Sequence, residues 1–298
     1  MKPANHPQTN DFLSLLLKRT RRPLIMGIIN VTPDSFADGG QFFDHAAAIN
    51  QARSLADAGA DILDVGGEST RPYAEPVSLQ EELRRVLPVI EAIKAEITIP
   101  VSIDTYKAEV ARAALAAGAS VINDISALRF DPEMVHLARE AQVPVILMHM
   151  QGSPRDMQVN PQYHDLLGEI KAFFRERLDF ALSHGLSRER LILDPGIGFG
   201  KTFDHNLEIL NNLHVFHDLG CHLLVGPSRK AFIGHLLGGV PAGEGRDVGT
   251  LAALAMAVIR GAHILRVHNV AYARQFLTVL EAIREKPFYG QAENRRAS

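Results

Sequence analysis

The stretch Met26-Gly-Ile-Ile-Asn-Val-Thr-Pro-Asp-Ser-Phe-Ala-Asp-Gly-Gly40 divides abruptly into two halves. An apolar run from Leu24 to Ile29 ends at Asn30, and a polar loop follows with Thr32, Pro33, Asp34, Ser35, Asp38 and a glycine pair. A short apolar run closed by turn residues reads as a buried strand, so this one delivers a loop from its C-terminal end. An amide with two carboxylates and two hydroxyls supplies hard oxygen ligands of the kind Mg²⁺ takes when it also holds a phosphate. The Gly39-Gly40 pair lets such a loop open and close. Taken alone, the segment reads equally well as a strand ending in a turn rich in Asx and proline.

The same unit recurs. Apolar runs lie at Leu24–Ile29, Asp61–Gly66, Pro100–Asp104, Ser120–Asp124, Val143–Met148, Leu191–Asp194, His222–Gly226 and Ile264–Val267, separated by longer segments of helical period. Eight strand-like runs alternating with helices predict an α/β fold, a (β/α)₈ TIM barrel in a single domain. The domain spans 22–286, between an N-terminal extension (1–21) and a C-terminal tail (287–298); residues 1–11 and the tail are polar and turn-rich. Alternation alone does not show closure, so a doubly wound open sheet is the competing fold. Local signals place the helices. Ser78-Leu-Gln-Glu81 predicts a capping box opening a helix that ends before Ile97, and Ala108–Ala117 predicts a helix closed by Gly118. Asp131-Pro132 predicts an N-cap followed by proline at the first helical position, and Pro161–Ser183 a long helix.

The residues that end the runs are polar and in phase. They are Asn30, Asp64 leading into Glu68-Ser-Thr-Arg-Pro72, Asp104, Asn123-Asp124, His149, Asp194, Ser228-Arg-Lys230, and Arg266 with His268. Any single Asp or Asn among them is more often a helix cap than a catalyst. In a parallel barrel, however, all lie around one C-terminal mouth, where such enzymes build their sites. Asp104, Asn123 and Asp194 suit a flat heterocycle with amino and amide edges, because Asp and Asn match donor and acceptor pairs there. Thr70, Arg71, Ser228, Lys230, Arg266 and His268 form an outer group of cations and hydroxyls suited to a phosphate or carboxylate.

Composition limits the partners. The chain has 298 residues, 46% hydrophobic and 22% charged, with net charge −3. No basic excess points to nucleic acid, and no apolar run approaches a membrane span. The run Leu13–Leu17 is too short for a secretory core, and its basic residues follow it where a signal peptide places them before. Cys221 is the sole cysteine, which excludes an intrachain disulfide, and the expected location is cytoplasmic.

Asp194-Pro-Gly-Ile-Gly-Phe-Gly-Lys-Thr202 invites a nucleotide reading that fails. A phosphate-binding loop needs glycine where Pro195 stands, and the dinucleotide fingerprint needs a different glycine spacing. A glycine-rich wall beside a ring-binding pocket, with Phe199 packing on an aromatic ligand, fits better. His214 and His217, three apart, have no third metal ligand nearby and read as surface histidines.

Seven segments together resemble the dihydropteroate synthase family, in order and at fitting spacings: Gly27–Phe36, Asp64–Pro72, Ser102–Thr105, Asn123-Asp124, Leu193–Lys201, Ser228–Lys230 and Arg266–His268. The resemblance covers residues 22–285. It implies a TIM-barrel transferase, usually a homodimer and a sulfonamide target. The enzyme condenses hydroxymethyl-dihydropterin diphosphate with para-aminobenzoate to give dihydropteroate and pyrophosphate, in folate synthesis. Carried over, it implies that Asp104, Asn123, Asp194 and Lys230 hold the pterin, with Arg266 packing over it and reaching the diphosphate. Asp104, Lys230 and Arg266 are the implied catalytic groups. Asn30 would ligate Mg²⁺, with Asp38 a further ligand, and His268, Thr70 and Arg71 would lie near the diphosphate. Thr70, Pro72, Phe36, Phe199 and Ser228 would frame the aminobenzoate. The sequence departs from the family pattern at Tyr73, where a small residue is usual, and at Asn269, where Asp is common. The rival enzyme, a methyltetrahydrofolate:corrinoid methyltransferase, shares the pterin-binding barrel but has no diphosphate to hold. A non-catalytic pterin-binding homologue would lose the loop residues first, and both loops are intact.

Overall fold

The computed structural model describes residues 12, 14–16, 22–32, 45–70 and 74–286. The strands are β1 (Leu24–Asn30), β2 (Ile62–Gly66), β3 (Val101–Asp104), β4 (Val121–Asp124), β5 (Val145–Met148), β6 (Leu191–Asp194), β7 (His222–Val225) and β8 (Ile264–Val267). All pair in parallel in chain order, and β8 returns to pair with β1, with Met26 beside Arg266, so the barrel is closed. The expected (β/α)₈ barrel is thus present and the open sheet is not. The helices on its outside are α1 (His45–Asp57), α2 (Leu79–Glu96), α3 (Ala108–Ala116), α4 (Glu133–Ala141), α5 (Leu166–Ser183), α6 (Phe203–Asn211), α7 (Ala231–Leu236), α8 (Asp247–Ile259) and α9 (Val270–Arg284).

The period of two along each strand splits the core in two. Ile25, Ile29, Leu63, Val65, Ile103 and their counterparts face outward and pack under the helices. Leu24, Met26, Ile62, Val121, Ile146, Ile192, Leu224 and Ile264 face inward and fill the lower half of the barrel. Phe12 and Leu16, one helical turn apart, belong to this inner cluster and are fully buried, so these two side chains stopper the barrel's N-terminal end. Gly27 lets two helices pack closely on β1: a Cβ there would lie 3.2 Å from both Leu55 of α1 and Val270 of α9, a tight fit that their side chains would have to yield to.

The helix signals hold with local changes. Ser78 caps α2 by accepting from the Glu81 N–H, but Glu81 turns to Arg84 and Arg85, so only half of the capping box forms. Helix α3 ends at Ala116, with Gly118 at φ +110°. Asp131 accepts from the Glu133 N–H, and Pro132 is the cap residue rather than the first helical one. Helix α5 starts at Leu166, not Pro161, because the Asp165 carboxylate accepts from the Gly168 N–H and stops the helix from extending backward. The loop from Pro33 to Asp44 and residues Arg71, Pro72 and Tyr73 lie outside the described residues. That range holds Asp34, Ser35, Phe36, Asp38 and Gly39-Gly40.

Phe12→Ala is expected to lower the unfolding free energy by about 3–5 kcal/mol, the usual cost of emptying a fully buried phenylalanine site. Chemical denaturation followed by circular dichroism measures it. A loss under about 1 kcal/mol would mean that the stopper does not bear on global stability.

Candidate active site

Above the apolar layer the inward positions turn polar. The register sets Ile28 beside Asp64, Gly66 beside Asp104, Asp104 beside Asn123, and Met148 beside Asp194. Strand alternation therefore carries Asp64, Ser102, Asp104, Asn123, Asp194 and Arg266 into one space at the C-terminal end.

Arg266 is the centre of that space. Its Nε donates to Asp64 Oδ2 at 2.7 Å, and its terminal nitrogen donates to Asp104 Oδ2 at 2.7 Å. Asn123 Nδ2 also donates to Asp64 Oδ2, at 3.0 Å. Asp64 Oδ1 and Ser102 Oγ are buried with no hydrogen-bond partner in the protein, which leaves polar capacity unmet in the floor. The sequence reading grouped Arg266 with the outer cations; the register instead sets it inside, against two carboxylates.

One guanidinium serves two acids, and the titration behaviour follows. Burial drives the Asp104 carboxyl up to about 7; Arg266 pulls it back, while Asp64, Glu82 and Asp124 push it further up. Burial opposes the charge on Arg266, but Asp64 and Asp104 more than offset this and hold it protonated. Asp194 is raised by burial against the Gly196 N–H, which donates to its Oδ1 at 2.8 Å, and against Lys230 and Arg266. Lys230 falls to about 8, through burial and Arg266, with Asp194 and Asp104 resisting.

The walls are as specific. Lys230 Nζ sits 3.9 Å from the centre of the Phe199 ring, a cation–π contact, and Phe199 packs with Ile125, Met148, Met150 and Met157. Gly196, Gly198 and Gly200 all have positive φ, and a Cβ on Gly196 would meet the His149 carbonyl at 2.0 Å. The Gly-Lys-Thr end of that motif is structural. Lys201 is buried, bonded to His149 Nδ1 at 3.0 Å and to the Phe199 carbonyl at 2.9 Å, and Thr202 caps α6. Ser228 Oγ and His268 Nδ1 lie 2.9 Å apart on the rim. Burial, with Arg229, Arg266 and Lys230 close by, lowers His268 to about 3. In this arrangement it is neutral, a hydrogen-bonding group and not the cation expected from sequence.

Thr70 stands at the near end of the loop after β2, whose base is pinned. Lys107 Nζ binds Glu68 and Glu82 at 2.6 Å each and the Val77 carbonyl at 2.7 Å, and the Tyr106 hydroxyl donates to Glu68 at 2.8 Å. Asp104, Asn123, Asp194, Phe199, Ser228, Lys230, Arg266 and His268 are thus brought together. Asn30, at the mouth end of β1, is half-buried. Among the described residues no group of three or more His, Cys, Asp or Glu side chains forms a metal cage. Sequence reasoning noted Asp64 at a strand end but gave it no role. The available signal was a carboxylate at an inward position of the otherwise apolar Ile62-Leu-Asp-Val-Gly66.

Comparison with known proteins agrees with this geometry. Residues 26–268 match the model of a family described as pterin binding enzyme. A dihydropteroate synthase of Synechocystis sp. is 49% identical over 263 residues, 88% of this chain and 91% of that protein. The Escherichia coli K12 dihydropteroate synthase is 46% identical over 260 residues, 87% of this chain and 91% of that one. A solved structure of the Xanthomonas albilineans dihydropteroate synthase with 4-aminobenzoic acid superposes with a TM-score of 0.84 at 47% identity, covering 89% of this chain and 94% of that one. Another, in complex with 7,8-dihydropteroate, gives 0.82 at 44%, covering 90% and 97%. A closed barrel, an acid-and-arginine floor and similarity along nearly its whole length establish that the chain belongs to the pterin-binding enzyme family, in its dihydropteroate synthase branch.

Proposed function

We propose that the chain is a transferase that joins hydroxymethyl-dihydropterin diphosphate to para-aminobenzoate, releasing pyrophosphate and forming dihydropteroate for folate synthesis. The observation that carries this reading is the buried floor in which Arg266 is shared between Asp64 and Asp104 beside Asn123, Asp194 and Lys230. A pterin edge offers both N–H donors and acceptors, and this floor offers carboxylates with spare lone pairs, an amide and an ammonium. Asp104, Asn123, Asp194 and Lys230 hold the ring, with Phe199 and Met148 against its faces. Arg266 and the neutral His268, with Ser228 beside it, meet the diphosphate. Thr70, Phe199 and Ser228 are assigned to the aminobenzoate together with Pro72 and Phe36, and Arg71 to the diphosphate; the last three lie outside the described residues.

As the diphosphate leaves, the C–O bond to the pterin methylene breaks and positive charge develops on that carbon. A buried carboxylate at Asp104 stabilises it, in a site where electrostatic interactions are strong because water is excluded. The amine of aminobenzoate then forms the C–N bond and gives up its proton. Asn30 supplies one amide oxygen at the mouth, which suits a cation completed by substrate oxygens and water, as Mg²⁺ commonly is. When bound, Mg²⁺ would neutralise charge on the leaving diphosphate. Cys221 is buried, no described helix is long and apolar enough to cross a membrane, and we place the enzyme in the cytoplasm.

The outward face of α8 is apolar along Val248, Ala252, Met256 and Ile259, with Val248 75% and Ile259 56% exposed. Neighbouring α6 presents Phe203 and Leu207, and α9 presents Val279 and Ile283. Exposed apolar residues on α8 and on α6 and α9, which pack against it, are the mark of an interface, and we assign it to a homodimer.

Four outcomes test these assignments. Purified protein should release pyrophosphate from the pterin diphosphate only when para-aminobenzoate and Mg²⁺ are both present. No release with pterin still bound in calorimetry would leave a non-catalytic binder. Asp104→Asn should lower kcat roughly 10²–10³-fold with little change in pterin affinity, the scale of losing one preorganised charge; equal losses in both would remove Asp104 from catalysis. In the wild type, kcat/KM should fall as pH drops through about 7, where Asp104 takes a proton, and again as pH rises through about 8, where Lys230 loses one. The Asn variant should lack the acid limb. Sedimentation velocity should give a dimer for the wild type and a monomer for Val248→Glu/Ile259→Glu; an unchanged dimer would move the interface elsewhere.

A further inference from the structure

Asp247 opens α8, outside the barrel, and only 4% of its surface is exposed. Its carboxylate reaches the ends of two different strands. Oδ1 accepts from Arg229 Nε at 2.7 Å, and Oδ2 accepts from Arg229 Nη2 at 3.0 Å and from Asn269 Nδ2 at 3.0 Å. Arg229 stands between Ser228 and Lys230 after β7, and Asn269 directly follows His268 after β8. One carboxylate thus holds the neighbours of three rim residues.

The backbone explains why such a hold is needed. Arg229 has φ +59°, the left-handed region that an arginine adopts reluctantly. Its N–H donates to Thr250 Oγ1 at 3.1 Å, and its carbonyl accepts from Arg246 Nη1 at 3.0 Å. All of these partners lie in or beside the first turn of α8. The left-handed turn sends the Arg229 side chain outward while Ser228 meets His268 at 2.9 Å and Lys230 meets Phe199 at 3.9 Å. The ion pair is well formed: burial pushes the Asp247 carboxyl up, yet the hydrogen bonds from Arg229 and Asn269 bring it below its ordinary value.

We propose that Asp247 is a positioning residue for the transferase reaction, clamping Arg229 and Asn269 with one carboxylate so that Ser228, Lys230 and His268 are held in register around the substrate. The proposal rests on the reading of those three residues as substrate contacts. It also gives Asn269 a reason. A carboxylate there would face Asp247 at about the 3.0 Å of the present hydrogen bond, whereas the amide donates to it and its own Oδ1 caps α9 through the Tyr272 N–H.

Asp247→Ala should raise KM for the pterin diphosphate and lower kcat, with kcat/KM down roughly 10–100-fold per folded molecule, as expected for losing one or two charge-assisted hydrogen bonds. Adding Arg229→Gly should recover part of that loss, because glycine adopts the left-handed turn unaided. A residue that only stabilised the fold would lower the melting temperature and leave both kinetic constants of the folded fraction unchanged, and that result would overturn the proposal. So would a double variant no better than the single one. The ¹⁵N signal of His268 Nδ1, which reports its hydrogen bond to Ser228 without any substrate, should shift in Asp247→Ala; an unmoved signal would overturn the clamp. Failure of the wild type to release pyrophosphate would instead remove the proposed reaction, with the ¹⁵N signal still deciding whether the clamp exists.

Discussion

A single guanidinium shared between two buried carboxylates holds the upper half of this barrel in place. Arg266 reaches from β8 past β1 to bridge Asp64 on β2 and Asp104 on β3, and Asn123 on β4 leans on the same oxygen of Asp64. Such an arrangement is a poor way to gain stability. Removing these charges from water costs several kcal/mol per ion, and apolar residues of similar volume often serve as well or better. The lower half of the same barrel shows that alternative at work, with Met26, Ile62, Val121 and Ile264 at the equivalent inward positions. The change from apolar to ionic within two residues along β2 and β8 therefore marks where packing gives way to ligand binding.

The division of labour extends outward. Inward carboxylates and Arg266 form the floor, glycines bring the β6 loop close to it, and Lys201, buried and bonded to His149 and Phe199, ties that loop to the one after β5. The Glu68–Lys107–Glu82 group does the same for the loop after β2. Buried charged side chains thus stand at the bases of these loops, and each fixes where a loop begins. Precise loop bases matter because catalysis in such a site depends on position to within about an ångström.

Much of this was legible in the residues. The eight apolar runs marked the strands to within one or two residues, and the in-phase polar ends marked the mouth, because strand alternation and barrel topology leave little freedom in where such residues point. What sequence did not reveal depended on register or on neighbours distant in the chain. The inward position of Arg266 needed the pairing of β8 with β1, and the role of Asp64 needed its partner 202 residues away. The neutrality of His268 followed from its burial, and after that from three cations that fold around it. Helix α5 began late because Asp165 outcompeted the periodic pattern that preceded it.

The floor also constrains how the protein can change over generations. Arg266, Asp64, Asp104 and Asn123 satisfy one another as well as facing the pocket, so replacing Arg266 or either acid leaves a partner charge uncompensated in the interior. Gly196 admits no side chain at all beside the His149 carbonyl. Substitutions that alter which small molecules fit are therefore channelled away from the ring-binding floor and toward the rim, where side chains such as Thr70 are not wired into that network. A compound that engages only the floor would meet a surface with few viable variants, whereas one that leans on the rim would meet a surface free to drift.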